Sequence, residues 1–202
     1  MTKTTCESII AQDIIIPCED QVTKGLESDG LIINRNDIDF TKTVFDDQYP
    51  NIIKQIVLKA GKKAYEVRQE GSSPFQDTKS ELNVGKYRNT WNNTLPLAVL
   101  ANTPEVCGNI VDGLANGSFV AILRNVTKGK DGKAEYQVWG YAQGLKASAG
   151  ENDKYSEDTE GGWLVTLQET GSPKSAYFFY NTDAKQTAAA YESLKTEAAG
   201  EE

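Results

Sequence analysis

Residues 119–139, FVAILRNVTKGKDGKAEYQVW, place two short apolar runs on either side of a lysine-rich turn. Side chains of an extended chain alternate between its two faces. Phe119, Ala121 and Leu123 then share one face, and Val120 and Ile122 share the other. Across the turn, Tyr136 and Val138 alternate with Gln137 and Trp139. Asp131-Gly132 supplies turn chemistry, so the stretch predicts a β-hairpin. A sheet with one face in water alternates more cleanly between apolar and polar residues. The hairpin therefore predicts strands covered on both faces, and what covers them decides the architecture.

Several other segments read as strands: LIINR (31–35), NIIKQIVLK (51–59), the strictly alternating KKAYEVRQE (62–70) and LPLAVLA (95–101). Gly61 favours a hairpin between the second and third of these. WLVTLQET (163–170) and SAYFFYN (175–181) read as a further hairpin across Gly171, Ser172 and Pro173. The run from Tyr177 to Tyr180 is again apolar on both sides. Between Gly71 and Thr94 the pattern dissolves into a predicted long loop, a feature that in compact domains is usually functional or held by a partner. It carries Phe75, Tyr87 and Trp91, which a freely solvated loop does not favour.

NTPEVCGNIVDGLANG (102–117) predicts a helix over 104–115. Thr103 suits the N-cap, Pro104 the first position and Glu105 the positive end of the dipole. Val106, Ile110 and Leu114 form an apolar stripe with Cys107 and Val111 beside it, and Gly117 is expected as a left-handed terminator. A second helix can begin at Thr182 or Asp183, in a tail whose polar, acidic end is expected to fray. Residues 1–30 read as an arm, because Ile9, Ile10, Ile14, Ile15 and Ile16 are apolar enough to dock on something. The chain divides into this arm, one domain over 31–185 and a tail over 186–202. Its fold class is mainly β, a β-sandwich or barrel with one flanking helix.

The formal net charge of −8 argues against sequence-independent phosphate binding. Histidine is absent, which removes the commonest acid/base catalyst and metal ligand and argues against an enzyme. Asn34, Asn36, Asp37 and Asp39 lack the spacing of a calcium loop and read as turn formers. Asp46-Asp47 and the group Glu157, Asp158, Glu160 read as solvated surface rather than paired catalytic carboxylates. Cys6, Cys18 and Cys107 read as reduced thiols, with Cys107 a small apolar residue of the helix's buried face, and a Cys6–Cys18 bridge stays open. No catalytic, cofactor or metal site is expected, and no signal peptide or membrane span. Lys128, Lys130 and Lys133 are placed to contact acidic neighbours.

The words LIINRNDIDF, IVLKAGKKAYEV, NGSFVAILRNVTKGKDGKAEYQVWGYAQGL and GGWLVTLQETGSPKSAYFFYNTD cover roughly residues 30–185. In combination they resemble virion structural proteins of bacteriophages of Bacteroidetes, crAss-like or related, and most of all tail tube proteins. The resemblance implies a β-sandwich that forms hexameric rings stacked into a tube. DNA passes through such a tube without tight binding. It implies a subunit made in the host cytoplasm and located in the virion tail, with copies of itself and other tail proteins as partners. Phe75, Tyr87 and Trp91 would belong to a ring-stacking loop, and Lys128, Lys130 and Lys133 to contacts between subunits. Neighbouring subunits would cover the doubly apolar strands. A tail terminator, a head-tail connector and a carbohydrate-binding or adhesive sandwich are the alternatives.

Overall fold

In the computed structural model, which describes residues 10, 13–15 and 21–199, the opening hairpin forms as its pattern predicts. Strand β7 (Phe119–Asn125) pairs antiparallel with β8 (Tyr136–Trp139), with Ile122 opposite Val138. The turn carries Gly129, Asp131 and Gly132 at positive φ. Nine further strands complete two sheets among the described residues. They are β1 (Leu26–Asn34), β2 (Val44–Phe45), β3 (Ile52–Gln55), β4 (Tyr65–Arg68), β5 (Lys79–Asn83), β6 (Thr90–Val99), β9 (Lys146–Glu151), β10 (Trp163–Ser172) and β11 (Tyr177–Phe179). One sheet has the order β2-β3-β11-β8-β7-β1-β4, and the other β5-β6-β10-β9. The protein is mainly β, a two-sheet sandwich with helical flanks.

The alternation of β7 explains the layers. Phe119, Ala121 and Leu123 join Ile32, Trp139, Leu95, Leu97, Val165 and Leu167 in a core between the two sheets. Val120 and Ile122 join Leu31, Ile33, Val138, Tyr177 and Phe179 in a second core on the opposite face of the large sheet. Helix α2 (Ala184–Ser193) covers that face with Tyr191 and, just beyond its end, Leu194. Asp183 caps α2, its side chain accepting from the Gln186 N–H at 2.8 Å. The doubly apolar strands are thus covered inside the subunit, and the expectation that neighbouring subunits cover them is corrected. α2 starts after Asp183 as expected, Tyr191 and Leu194 are core residues, and the last residues of the acidic end lie outside the described residues.

Neither of the two other predicted hairpins forms. β3 and β4 lie toward opposite edges of the large sheet, with β4 paired to β1 and β3 to β11 and β2. The chain between them crosses beneath the C-terminal segment, where the Ala64 N–H donates to Leu194 O at 2.7 Å and Gly61 N–H to Ala198 O at 2.9 Å. Ile56, Leu58 and Ala64 bury there, which outweighs the local turn preference of Gly61. β10 and β11 likewise enter different sheets.

The helix predicted over 104–115 forms as α1, in three consecutive parts: Pro104–Val106, a π-turn Cys107–Val111, and Asp112–Asn116. The Thr103 hydroxyl accepts from the Val106 N–H as expected. The π-turn inserts one residue and shifts the stripe, so Val111 and Leu114 are buried while Ile110 turns outward. Cys107 is only half-buried, with its Sγ donating to Asn102 Oδ1 at 3.4 Å, which corrects its expected place on the buried face. Gly117 is extended (φ −93°) rather than left-handed. Glycine is needed there because a Cβ would lie 2.1 Å from the Phe119 ring. Cys6 and Cys18 lie outside the described residues, as does most of the predicted arm. Among the described residues no helix is long and apolar enough to cross a membrane.

Candidate assembly surfaces

The predicted loop over 71–94 is instead a β-hairpin for most of its length. β5 pairs with β6 in the register Ser80 to Asn93 and Leu82 to Trp91. Residues at odd positions of β6 face the other sheet: Leu95 and Leu97 lie in the inter-sheet core, and Asn93 and Trp91 continue the same row outward. On β5 the matching residues are Ser80 and Leu82. This row changes character along the hairpin, from buried apolar, through buried polar, to exposed apolar.

The polar step anchors the hairpin base. Ser80 Oγ donates to Asn93 Oδ1 at 2.6 Å, and Asn93 Nδ2 donates to Glu169 Oε2 at 2.7 Å. Glu169, on β10, also accepts the Gln143 N–H at 2.8 Å and is 1% exposed. The network ties β5, β6, β10 and the turn after β8 together, and the buried Asn93 and Glu169 both find partners in it.

Beyond that anchor the hairpin leaves the core. Leu82 is 50% exposed, Val84 75% and Tyr87 90%, with Trp91 half-buried beside them. The outer row stays polar, and Lys79 and Glu81 pair along β5 at 3.2 Å. The tip is cationic as well as apolar, with Lys86 Nζ 5.3 Å from the Tyr87 ring centre and Arg88 next in the chain. Isolated exposed apolar residues are ordinary, but a hairpin with one apolar face turned to water is not.

The structure separates the three aromatics proposed for one loop. Phe75 is a core residue, 2% exposed, and fits because Gly30 leaves room: a Cβ there would lie 3.1 Å from its ring. Trp91 sits on a strand and Tyr87 at the tip. Leu82 and Val84 were missed by sequence reasoning, although the pairing of Leu82 with Trp91 would follow once the hairpin was recognised.

The lysine turn is partly satisfied at home. Lys128 Nζ lies 3.4 Å from Glu135, which also pairs with Arg124 at 3.0 Å, and Arg124 in turn holds Asp29 at 3.1 Å. Lys133 Nζ sits 5.8 Å from the Tyr180 ring centre. The oxygen-rich cluster near residue 37 forms a turn, with Asn34 Nδ2 donating to Asp37 and Asp39 accepting from Thr41. Asp46 caps the Gln48 and Tyr49 N–H groups and pairs with Lys54 at 2.9 Å. The Lys54 contact, helped by those N–H groups, holds its carboxyl down at about 2. Both carboxylate groups considered for catalysis lie apart on the surface, Asp46 in this turn and Glu157, Asp158 and Glu160 in the loop before β10.

No family model matches the chain, and neither a curated protein nor a solved structure matches it.

Proposed function

We propose that this protein is a non-catalytic virion subunit, a bacteriophage tail tube protein, that assembles with copies of itself into stacked rings. The observation that carries the reading is the β5–β6 hairpin, whose base is fixed by buried hydrogen bonds while its apolar inner face and tip meet water. Holding such a face in place has a use when a second copy covers it. The tip's Lys86 and Arg88 favour an acidic acceptor, and the loop before β10 offers Asp153, Glu157, Asp158 and Glu160 on an exposed surface. Tyr87 and Trp91 keep the stacking role that the family resemblance implies, joined by Leu82 and Val84. Phe75 instead supports the hairpin from inside.

The charge suits a conduit. A net charge of −8 repeated around a ring repels DNA over about one Debye length, roughly 8 Å at physiological salt, and so keeps a passing duplex off the wall. Negative-stain electron microscopy of the purified protein tests the reading: rings and tubes of uniform diameter are expected. Isolated subunits at every concentration would contradict it, and closed rings that never stack would favour a terminator or connector. Tight, salt-sensitive DNA binding would contradict the conduit.

A further inference from the structure

The exposed apolar residues include two more groups besides the hairpin tip. One is the N-terminal arm, where Ile10, Ile14 and Ile15 are 69%, 86% and 75% exposed. The other is a groove of about 780 Å³ between the sheets, along the edge formed by β4. Val67, Leu97, Val99, Leu100 and Ile110 line its apolar wall, and Leu100 and Ile110 are themselves exposed. Among the described residues β4 ends the large sheet, and no strand lies beside its outer backbone groups. A short edge strand next to an open apolar groove fits one more strand.

We infer that the N-terminal arm of one copy adds to the β4 edge of a second copy and inserts Ile10 and Ile14 into this groove. The inference rests on the reading of the chain as a self-assembling subunit and names the surface. In an extended arm Ile10 and Ile14 share one face, while Asp13 and Ile15 share the other. Along β4, Tyr65 and Val67 face the inter-sheet side, opposite Ile32 and Gly30, whereas Glu66 and Arg68 face the α2 side, opposite Leu31 and Asp29. An added strand with Ile14 in the groove therefore puts Asp13 on the side of Arg68. That charge match favours pairing near Arg68 over pairing near Glu66, which already binds Lys195 at 2.9 Å.

The arm's own exit points to a second copy as the occupant. Thr23 exchanges hydrogen bonds with Thr127, its N–H donating to Thr127 Oγ1 at 2.5 Å and its carbonyl accepting back at 3.0 Å. The Val126 N–H donates to Gly25 O at 3.3 Å. These bonds hold the arm on the β7 side of β1, and the groove lies on the β4 side. Ile10, Ile14 and Ile15 stand exposed and none of them lines this groove, so the arm leaves the groove of its own copy open.

Cysteine cross-linking tests this in the full chain, with Cys6, Cys18 and Cys107 replaced by serine. One protein carries Ile14→Cys and another Ile110→Cys, and the two are mixed and mildly oxidised. The expected result is a disulfide-linked species of twice the chain mass that appears only in the mixture of the two. A chain carrying both substitutions that closes on itself, with no doubled mass at any concentration, would overturn the inference in favour of the arm's own groove. Absence of any cross-link while circular dichroism reports a native fold would also overturn it. Charge on the arm's groove face (Ile10→Asp with Ile14→Asp) should weaken self-association about a hundredfold in sedimentation, as expected when two isoleucines lose their burial. Charge on the rim (Ile110→Asp) should weaken it in the same direction. Cross-linking between copies without tubes would keep the arm contact and remove the tube reading. Tubes formed by a chain lacking residues 1–20 would do the reverse.

Discussion

Two hairpins of similar length meet opposite fates. The β7–β8 hairpin has apolar residues on both faces and buries both within its own chain, against the small sheet on one side and α2 on the other. The β5–β6 hairpin has a single apolar row and leaves its outer half in water. Richness in apolar residues therefore does not locate an interface. Under the proposed assembly, what marks one is an apolar row that outruns the core able to cover it. The β7–β8 hairpin holds the subunit together, and the β5–β6 hairpin is available to hold subunits to each other.

Substitutions should divide along the same line. Leu123→Ala, at a fully buried site on β7, should destabilise the subunit by about 2–5 kcal/mol in urea unfolding. A loss below about 1 kcal/mol would mean that the two-sided core is loosely packed. Glu169→Ala should cost about 1–3 kcal/mol, because it strands the Asn93 amide and the Gln143 N–H. Since this network fixes the hairpin base, the same variant should also assemble poorly under conditions in which it is still folded. Val84→Ser with Tyr87→Ser should change subunit stability by no more than about 0.5 kcal/mol and yet abolish stacking. If that variant unfolds, the tip belongs to the core and the comparison fails.

Smaller effects follow from charge. Lys128→Ala removes one of two cations at Glu135, and Arg124 remains, so the loss should stay within about 1 kcal/mol. Asp46 sharpens the acid limb of stability. Its carboxyl is depressed from 3.8 to about 2, so its contribution is complete above the unfolded value and is lost as pH falls through about 2. Asp46→Asn should lower stability slightly at neutral pH, where that contribution is complete, leave it nearly unchanged below about pH 2, and so flatten the acid limb between.

The mainly β class, the β7–β8 hairpin and the cap of α1 were legible because alternation and cap chemistry are local. β6 was legible only from Leu95 onward, although its inward row starts at Trp91. Asn92 and Asn93 disguised the rest: Asn93 is buried but paired to Glu169, a partner 76 residues away. Pro96 is tolerated in a strand flanked on both sides because β5 has already ended beside it, its last pairing toward that end being Lys79 with Thr94. The false hairpins at Gly61 and Gly171 show the same limit. A turn signal reports that the chain reverses, not which strand it reverses onto. The groove beside β4 was hidden for a different reason, since the π-turn that points Ile110 outward leaves no mark in the spacing of apolar residues.

Hydroxyl-radical footprinting of the dilute subunit and of the assembled material tests the central claim most directly. Leu82, Val84 and Tyr87 should be labelled readily in the subunit and lose most of that labelling on assembly. Phe179 and Leu123, buried already, should stay unlabelled in both states. Equal labelling of Tyr87 in subunit and assembly would contradict the claim that another copy covers the β5–β6 hairpin.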